Sequence, residues 1–174
     1  MFERFSTASR RAVFCARLEA GFVGSQIIDS EHLLLGLLRV DPTTLQFIAQ
    51  PVTLTSVREA AARWHVPGEK LPTSVDLPIT EDVKLVFENA GSFADAYSSS
   101  LVRTEHLLLA LMTITTSHAA AILGEVDASL SRLEQLVSGI QDHEIKTVLN
   151  FPEKISSPSH GPLVRHVVLQ NGLR

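Results

Sequence analysis

The chain has 174 residues, of which 45% are hydrophobic and 20% charged, a balance that excludes a disordered polypeptide and is typical of a folded globular protein. A net charge of −4 argues against a nucleic-acid-binding protein, which needs a clustered basic face, and no apolar run is long enough for a transmembrane helix. Cys15 is the only cysteine, so no intrachain disulfide can form, and we expect a cytoplasmic protein with no nucleic-acid or membrane partner.

Apolar residues recur at helical spacing in the first part of the chain. They predict four helices, over residues 6–22, 30–40, 44–50 and 53–65. Ser6 and Ser30 have the side chains expected of N-caps for the first two helices. In the third helix, Phe47 is predicted to face inward with its apolar neighbours. The second helix is apolar over most of its circumference, so we expect it to lie between other helices.

The second half of the chain repeats the first. The segment Ser30-Glu31-His32-Leu33-Leu34-Leu35 returns as Thr104-Glu105-His106-Leu107-Leu108-Leu109, an offset of 74 residues. The same offset aligns Ser6 with Thr80 and Arg58 with Arg132. Such self-similarity is the mark of a duplicated structural unit. It predicts a second set of helices, over residues 80–97, 104–113, 117–123 and 127–137, with residues 69–79 as a proline-containing linker.

These patterns predict an all-α domain over residues 1–144, made of repeat one (1–68) and repeat two (78–140). Strand-like alternation is absent from both repeats. Residues 145–174 are richer in proline and serine and are predicted to be a non-helical tail or linker. The β-branched segment near its end leaves three alternatives open: a short strand laid on the body, a partner-binding segment, or a disordered end.

Glu31 and Glu105 are the most suggestive polar residues, because each occupies the first turn of an apolar helix. A carboxylate there stabilises the helix by about 0.3–1 kcal/mol, so a structural role competes with a ligand-binding one. His32 and His106 follow them, but no second metal ligand stands one turn later, and we expect buried or capping histidines and no metal site. No nucleophile motif or phosphate-binding loop occurs in the sequence, so neither catalysis nor a cofactor is predicted.

The doubled (Ser/Thr)-Glu-His-Leu-Leu-Leu helix resembles the repeat of Clp N-terminal domains. The opening Met1-Phe2-Glu3-Arg4-Phe5-Ser6 is similar to the start of the ClpC branch of AAA+ unfoldases. The resemblance covers about residues 1–140 and implies a pseudo-twofold bundle of two four-helix repeats, with about eight helices. Without a phosphate-binding loop, the chain is either a free-standing N-domain protein or a piece of a larger unfoldase. We expect the former, because the tail does not resemble the start of an ATPase domain.

The resemblance also implies a binding site for phosphorylated arginine in each repeat. By position, the resemblance pairs the motif glutamate of each repeat with the hydroxyl residue that begins the first helix of the same repeat. The pairs are Glu31 with Ser6 and Glu105 with Thr80. A carboxylate would accept the guanidinium N–H groups, and a helix N-terminus would receive the phosphate. Asp29 places an extra acid beside the first site, whereas Arg103 places a cation beside the second, where it could attract phosphate or pair with Glu105.

Two functions follow from this resemblance. The first is a non-catalytic module that recognises adaptor proteins or substrate peptides, including degrons and phosphoarginine-marked segments, for a Clp-type ATP-dependent protease. The alternative is a structural accessory subunit that docks on the Clp protease or unfoldase ring. Both glutamates are expected at the surface, so that a Glu31→Ala/Glu105→Ala variant should remain folded.

Overall fold

The computed structural model describes residues 2–49, 52–65 and 68–148, with the backbone alone for 140–148. This part of the chain contains eight α-helices and one 3-10 turn, Ala62–Trp64, after α4. The helices are α1 Thr7–Phe22, α2 Ser30–Val40, α3 Pro42–Ile48, α4 Leu54–Ala61, α5 Glu81–Ala96, α6 Thr104–Thr113, α7 His118–Glu125 and α8 Leu130–Val148. The all-α fold expected from the sequence is confirmed.

The two repeats are joined by a pair of equivalent backbone contacts. Phe5 forms an isolated parallel bridge with Val102, and Ile28 forms one with Ile79. The repeat offset of 74 places Phe5 on Ile79 and Ile28 on Val102. Each bridge is therefore the image of the other, and the segment that enters α1 pairs with the segment that enters α6. This exchange is the signature of pseudo-twofold symmetry between the halves.

The core is built around α2 and α6, whose leucines are almost fully buried. On α2 every residue from Ser30 to Leu38 is buried, as expected for a helix that is apolar around most of its girth. Gly36 allows α1 to pack closely, because a Cβ at this position would lie 2.2 Å from the carbonyl oxygen of Ala12. Ala12, Ala16 and Ala20 on the inner face of α1 are fully buried.

Several predicted helix boundaries were wrong. Asp41 caps α3 and Pro42 is its first residue, so that helix begins earlier than expected, and Phe47 is 52% exposed rather than turned inward. The last helix begins at Leu130, after Ser129, whose Oγ accepts a hydrogen bond from the Arg132 backbone N–H. Thr53 caps α4 in the same way, and the separation of Thr53 and Ser129 is 76 residues. The offset between equivalent residues of the two repeats therefore increases from 74 to 76 before the last helix of each repeat.

Helix α8 continues to Val148, so residues 145–148 are helical and do not belong to a non-helical tail. The remaining predictions for the tail fall on residues 149–174, outside the described residues. Within the described chain, no single helix has both the length and the apolar composition needed to cross a bilayer. Helices α6 and α7 meet those criteria only when they are taken together, and they are bent by 93° at the break between them.

Candidate functional site

The two motif helices begin one residue earlier than the sequence indicated. Asp29 and Arg103, not Ser30 and Thr104, are the N-cap residues of α2 and α6. The motif histidines complete the caps: Nδ1 of His32 accepts from the Asp29 N–H at 3.0 Å, and Nδ1 of His106 accepts from the Arg103 N–H at 3.0 Å. A side chain that reaches back to the N-cap N–H is one half of a capping box. The capping role expected for these histidines is confirmed.

Both capping histidines are buried and neutral. Burial lowers the pKa of His32 to about 4, assisted by the nearby His65. Burial likewise lowers the pKa of His106 to about 4, with Arg103 adding to the effect. A buried imidazole resists protonation because the charged form loses its hydration. Each ring therefore remains an acceptor for the helix cap throughout the neutral pH range.

The first-repeat carboxylate, Glu31, is fully buried, with a relative exposure of 0%. The expectation that it faces solvent was wrong. His65 Nε2 lies 2.5 Å from Glu31 Oε1, and His118 Nδ1 lies 3.0 Å from Glu31 Oε2. The Ser30 hydroxyl donates to Oε2 from 3.5 Å. A buried carboxylate needs such partners because transfer of its charge out of water is costly.

The partners of Glu31 come from three different parts of the chain. His65 follows the 3-10 turn after α4, and His118 is the first residue of α7. The Trp64 ring stacks on His118 with centroids 4.7 Å apart, and the His65 ring lies 4.6 Å from that of His32. Sequence reasoning missed this cluster, because His65 and His118 are 34 and 87 residues from Glu31 and match no metal-ligand spacing.

The second-repeat carboxylate has a simpler and more open setting. Glu105 is partly exposed, as expected, and its Oε2 accepts from the Thr104 hydroxyl at 3.2 Å. That hydroxyl also lies 3.1 Å from Oδ2 of Asp41 at the start of α3. Burial alone would raise the pKa of Asp41, but hydrogen bonds from Thr44, Thr43 and Thr104 outweigh it and lower the pKa. Asp41 thus remains ionised at neutral pH.

The hydroxyl residues that cap α1 and α5 lie beside the opposite repeat. The Ser6 N–H donates to the Val102 carbonyl at 2.9 Å, which places the N-terminus of α1 against the segment that enters α6. The Thr80 hydroxyl lies 3.2 Å from Asp29 Oδ1, at the start of α2. The predicted pairs, Glu31 with Ser6 and Glu105 with Thr80, were therefore wrong. Ser6 lies against the segment that leads into α6, and Thr80 lies against Asp29 at the start of α2.

The pseudo-twofold all-α bundle, with a capped Glu-His helix at the centre of each half, defines a class of double-repeat domain. A family model described as the Clp repeat (R) N-terminal domain matches residues 4–126. The chain belongs to this family, whose repeat occurs in the N-terminal regions of Clp chaperone and protease ATPase subunits.

Individual relatives agree with the family match. The chain is 31% identical over 141 residues to chaperone protein ClpD1 of Oryza sativa subsp. japonica, covering 76% of this chain and 15% of that protein. It is 30% identical to the negative regulator of genetic competence ClpC/MecB of Bacillus subtilis, over 79% of this chain and 17% of that protein. The chain thus spans only about a sixth of these relatives.

Solved structures show the same architecture. The N-terminal domain of ClpD from Arabidopsis thaliana superposes with a TM-score of 0.65 at 26% identity, covering 83% of this chain and 99% of that one. The N-terminal domain of Hsp104 from Candida albicans has a TM-score of 0.61 at 15% identity, covering 80% and 92% of the two chains. At that identity the second likeness concerns the fold alone.

Proposed function

We propose that this domain is a non-catalytic recognition module of a Clp-type ATP-dependent protease system, which binds adaptor proteins or substrate peptides. Phosphoarginine-marked segments are the ligand class that best suits the start of α6, the motif helix of the second repeat. The observation that carries the proposal is the partly exposed Glu105 carboxylate in the first turn of α6, a helix whose preceding segment contacts the N-terminus of α1. Family membership supports the general role, and the local chemistry supports the ligand class.

The start of α6 has complementary groups for both halves of a phosphoarginine side chain. The Thr104 hydroxyl donates to Oε2 of Glu105, and a carboxylate has about four acceptor positions, so it can also receive a guanidinium. The first N–H groups of α1, which follow Ser6, point out of the helix and favour an anion. Arg103 carries a positive charge in the segment that leads into α6, directly after Val102, whose carbonyl accepts from the Ser6 N–H. One ligand would then meet a carboxylate and a phosphate-binding helix end together.

The start of α2, the motif helix of the first repeat, is less suited to the same ligand. Thr80 and Glu31 occupy the equivalent positions, but Glu31 is buried and bonded to His65 and His118. A guanidinium could reach this carboxylate only by displacing both imidazoles, and Asp29 would repel its phosphate. We therefore assign ligand binding to Ser6, Arg103 and Glu105, and not to Thr80 and Glu31.

The test is a binding titration with a fluorescent phosphoarginine peptide and the same peptide carrying unmodified arginine. Glu105→Ala should weaken binding of the modified peptide about 10- to 100-fold, the equivalent of one or more charge-assisted hydrogen bonds at about 1.5–3 kcal/mol each. Glu59→Ala is the matched control, because it removes an exposed carboxylate from α4 in the other repeat. It should leave the affinity unchanged.

Two results would contradict the proposal. One is equal affinity of wild type and Glu105→Ala for the modified peptide. The other is equal affinity of the wild type for the two peptides. Co-purification with Clp ring subunits in the absence of any peptide affinity would instead favour a structural accessory role.

A further inference from the structure

The residues around Glu31 have the composition and spacing of a metal-binding site. Asp29, Glu31 and His118 each direct a potential ligand atom to one place, and these atoms all lie within 4.8 Å of one another. His118 Nδ1 is 3.0 Å from Glu31 Oε2 and 3.6 Å from Asp29 Oδ2. We propose that Asp29, Glu31 and His118 bind a divalent transition metal ion of the Zn²⁺ class.

The distances suit such an ion. In a tetrahedral Zn²⁺ site with bonds of about 2.0–2.2 Å, neighbouring ligand atoms are separated by about 3.4 Å. The two distances from His118 Nδ1 bracket this value, so small side-chain adjustments would complete the site. Imidazole with carboxylates favours Zn²⁺ or a similar ion over Mg²⁺ and Ca²⁺, which prefer oxygen ligands alone.

Neighbouring groups hold the proposed ligands in position. His65 contacts Oε1 of Glu31, which leaves Oε2 directed towards His118. Trp64 stacks on the His118 ring at an interplanar angle of 18°, and Asp29 Oδ1 is fixed by Thr80 and the Ser30 N–H. Groups that orient metal ligands in this way are a regular part of metal sites.

Charge and access also favour a cation. Two carboxylates lie next to one imidazole nitrogen, and one of them, Glu31, has no contact with solvent. A divalent ion would balance their charge where water cannot. The Asp29 and His118 side chains are 20% and 35% exposed, so an ion can enter from this side. Water or a partner group can supply the remaining coordination.

The equivalent place at the start of α6 lacks the same ligands. At the repeat offset of 74, Arg103 stands in place of Asp29, and Thr44 is the counterpart of His118. In addition, α8 continues as a helix to Val148, whereas the equivalent α4 ends at Ala61 and leads into the Trp64–His65 turn. The cluster is thus specific to the start of α2, and Thr44 identifies the substitution at His118 that should abolish it.

The test is a titration of the full 174-residue chain with ZnCl₂ at neutral pH, with stoichiometry from equilibrium dialysis. Emission from Trp64 gives a local signal, because it is the only tryptophan and stacks on a proposed ligand. His118→Thr installs the residue found at the equivalent position of the first repeat, Thr44. Asp29→Asn retains an oxygen for the helix cap but replaces the other oxygen, the proposed ligand, with an amide nitrogen. His160→Ala/His166→Ala controls for binding by histidines elsewhere in the chain.

We expect one Zn²⁺ per wild-type chain, with a change in Trp64 emission. Affinity should fall at least about 100-fold in both ligand variants, because loss of a mere supporting group already costs about 10- to 100-fold. The histidine control should bind normally, and MgCl₂ should leave the emission unchanged. Unaltered Zn²⁺ affinity in Asp29→Asn, or loss of binding in the histidine control, would overturn the proposal. Because Glu105 is unchanged in every variant, failure here leaves the peptide-binding proposal intact.

Discussion

Gly36 offers a quantitative test of how the first repeat is packed. A Cβ at this position would lie 2.2 Å from the Ala12 carbonyl oxygen and 2.7 Å from the Ala16 amide nitrogen. Ordinary van der Waals contact begins near 3.4 Å, so Gly36→Ala would require α1 to move by about an ångström along a closely packed interface. Because the neighbouring atoms belong to the backbone, no side-chain rotation can relieve the overlap.

Two opposing effects set the magnitude for Gly36→Ala. Alanine favours a helix interior over glycine by about 1 kcal/mol, whereas overpacking of a core costs about 1–3 kcal/mol and sometimes more. Displacement of a whole helix belongs at the upper end, so we expect a net loss of about 2 kcal/mol in the free energy of unfolding, measured by urea denaturation with helical circular dichroism. Gly91→Ala in α5 is the control, because no atom other than the adjoining residues and backbone of its own helix lies within 4 Å of its added Cβ, and it should be neutral or stabilising. Equal stability of Gly36→Ala and wild type would refute the close approach of α1 and α2.

Three further predictions concern buried polar groups. The pKa of His106 is lowered to about 4 in the folded protein, whereas it is about 6.5 in the unfolded chain. The unfolded protein therefore binds a proton at a higher pH than the folded protein does, and the free energy of unfolding of the wild type should rise as the pH increases from about 4 to about 6.5. The His106→Asn variant retains a cap acceptor and should lower this rise by about 3 kcal/mol in denaturation experiments across pH 4–7. Parallel curves for the two proteins would contradict the assignment. Burial alone raises the pKa of Glu19, but Arg58 and Arg39 outweigh it and lower the pKa, so Glu19 contributes stability above about pH 4.5 that is lost as the pH falls through the lowered value. The Glu19→Gln variant should therefore cost about 1–2 kcal/mol at pH 7, a range limited by the partial exposure of both arginines, and the difference from wild type should shrink in acid; a constant difference would be evidence against the ion pairs. Finally, Ser9 is fully buried and donates to the Val102 carbonyl at 2.8 Å, so Ser9→Ala should destabilise the protein by about 1 kcal/mol, and no change in the urea midpoint would exclude this bond as a link between the repeats.

The helices of this protein were predictable because their signals are local. Ser6 and Thr80 cap α1 and α5 as expected, and the leucine-rich motif forms the two most buried helices. The predicted starts of α2 and α6 were wrong, because they depend on a capping arrangement that residue type alone does not show. Ser30 and Thr104 have ordinary capping side chains, yet a histidine three residues after Asp29 and Arg103 shifts each cap by one position. Such reciprocal caps are recognised from geometry more readily than from residue type.

The candidate site was predictable in part. Glu105 is partly exposed, as expected, but the helix N-terminus that contacts the segment leading into α6 is that of α1 and not of α5. An offset within the sequence shows which positions of the two repeats are equivalent. It does not show whether a residue contacts its own repeat or the other one, and for this reason the predicted pairing was wrong. The symmetric bridges, Phe5 with Val102 and Ile28 with Ile79, exchange the partners between the two halves.

The sequence by itself determined that a helical unit occurs twice and that each copy begins a buried helix with a glutamate and a histidine. These features follow from apolar periodicity and capping, which act over a few residues. The tertiary structure decided that Glu31 is enclosed by His65 and His118 while Glu105 remains accessible. Those contacts join residues 34 and 87 positions apart. They exist only because the packing of α2 against α4 and α7 brings distant side chains to one carboxylate.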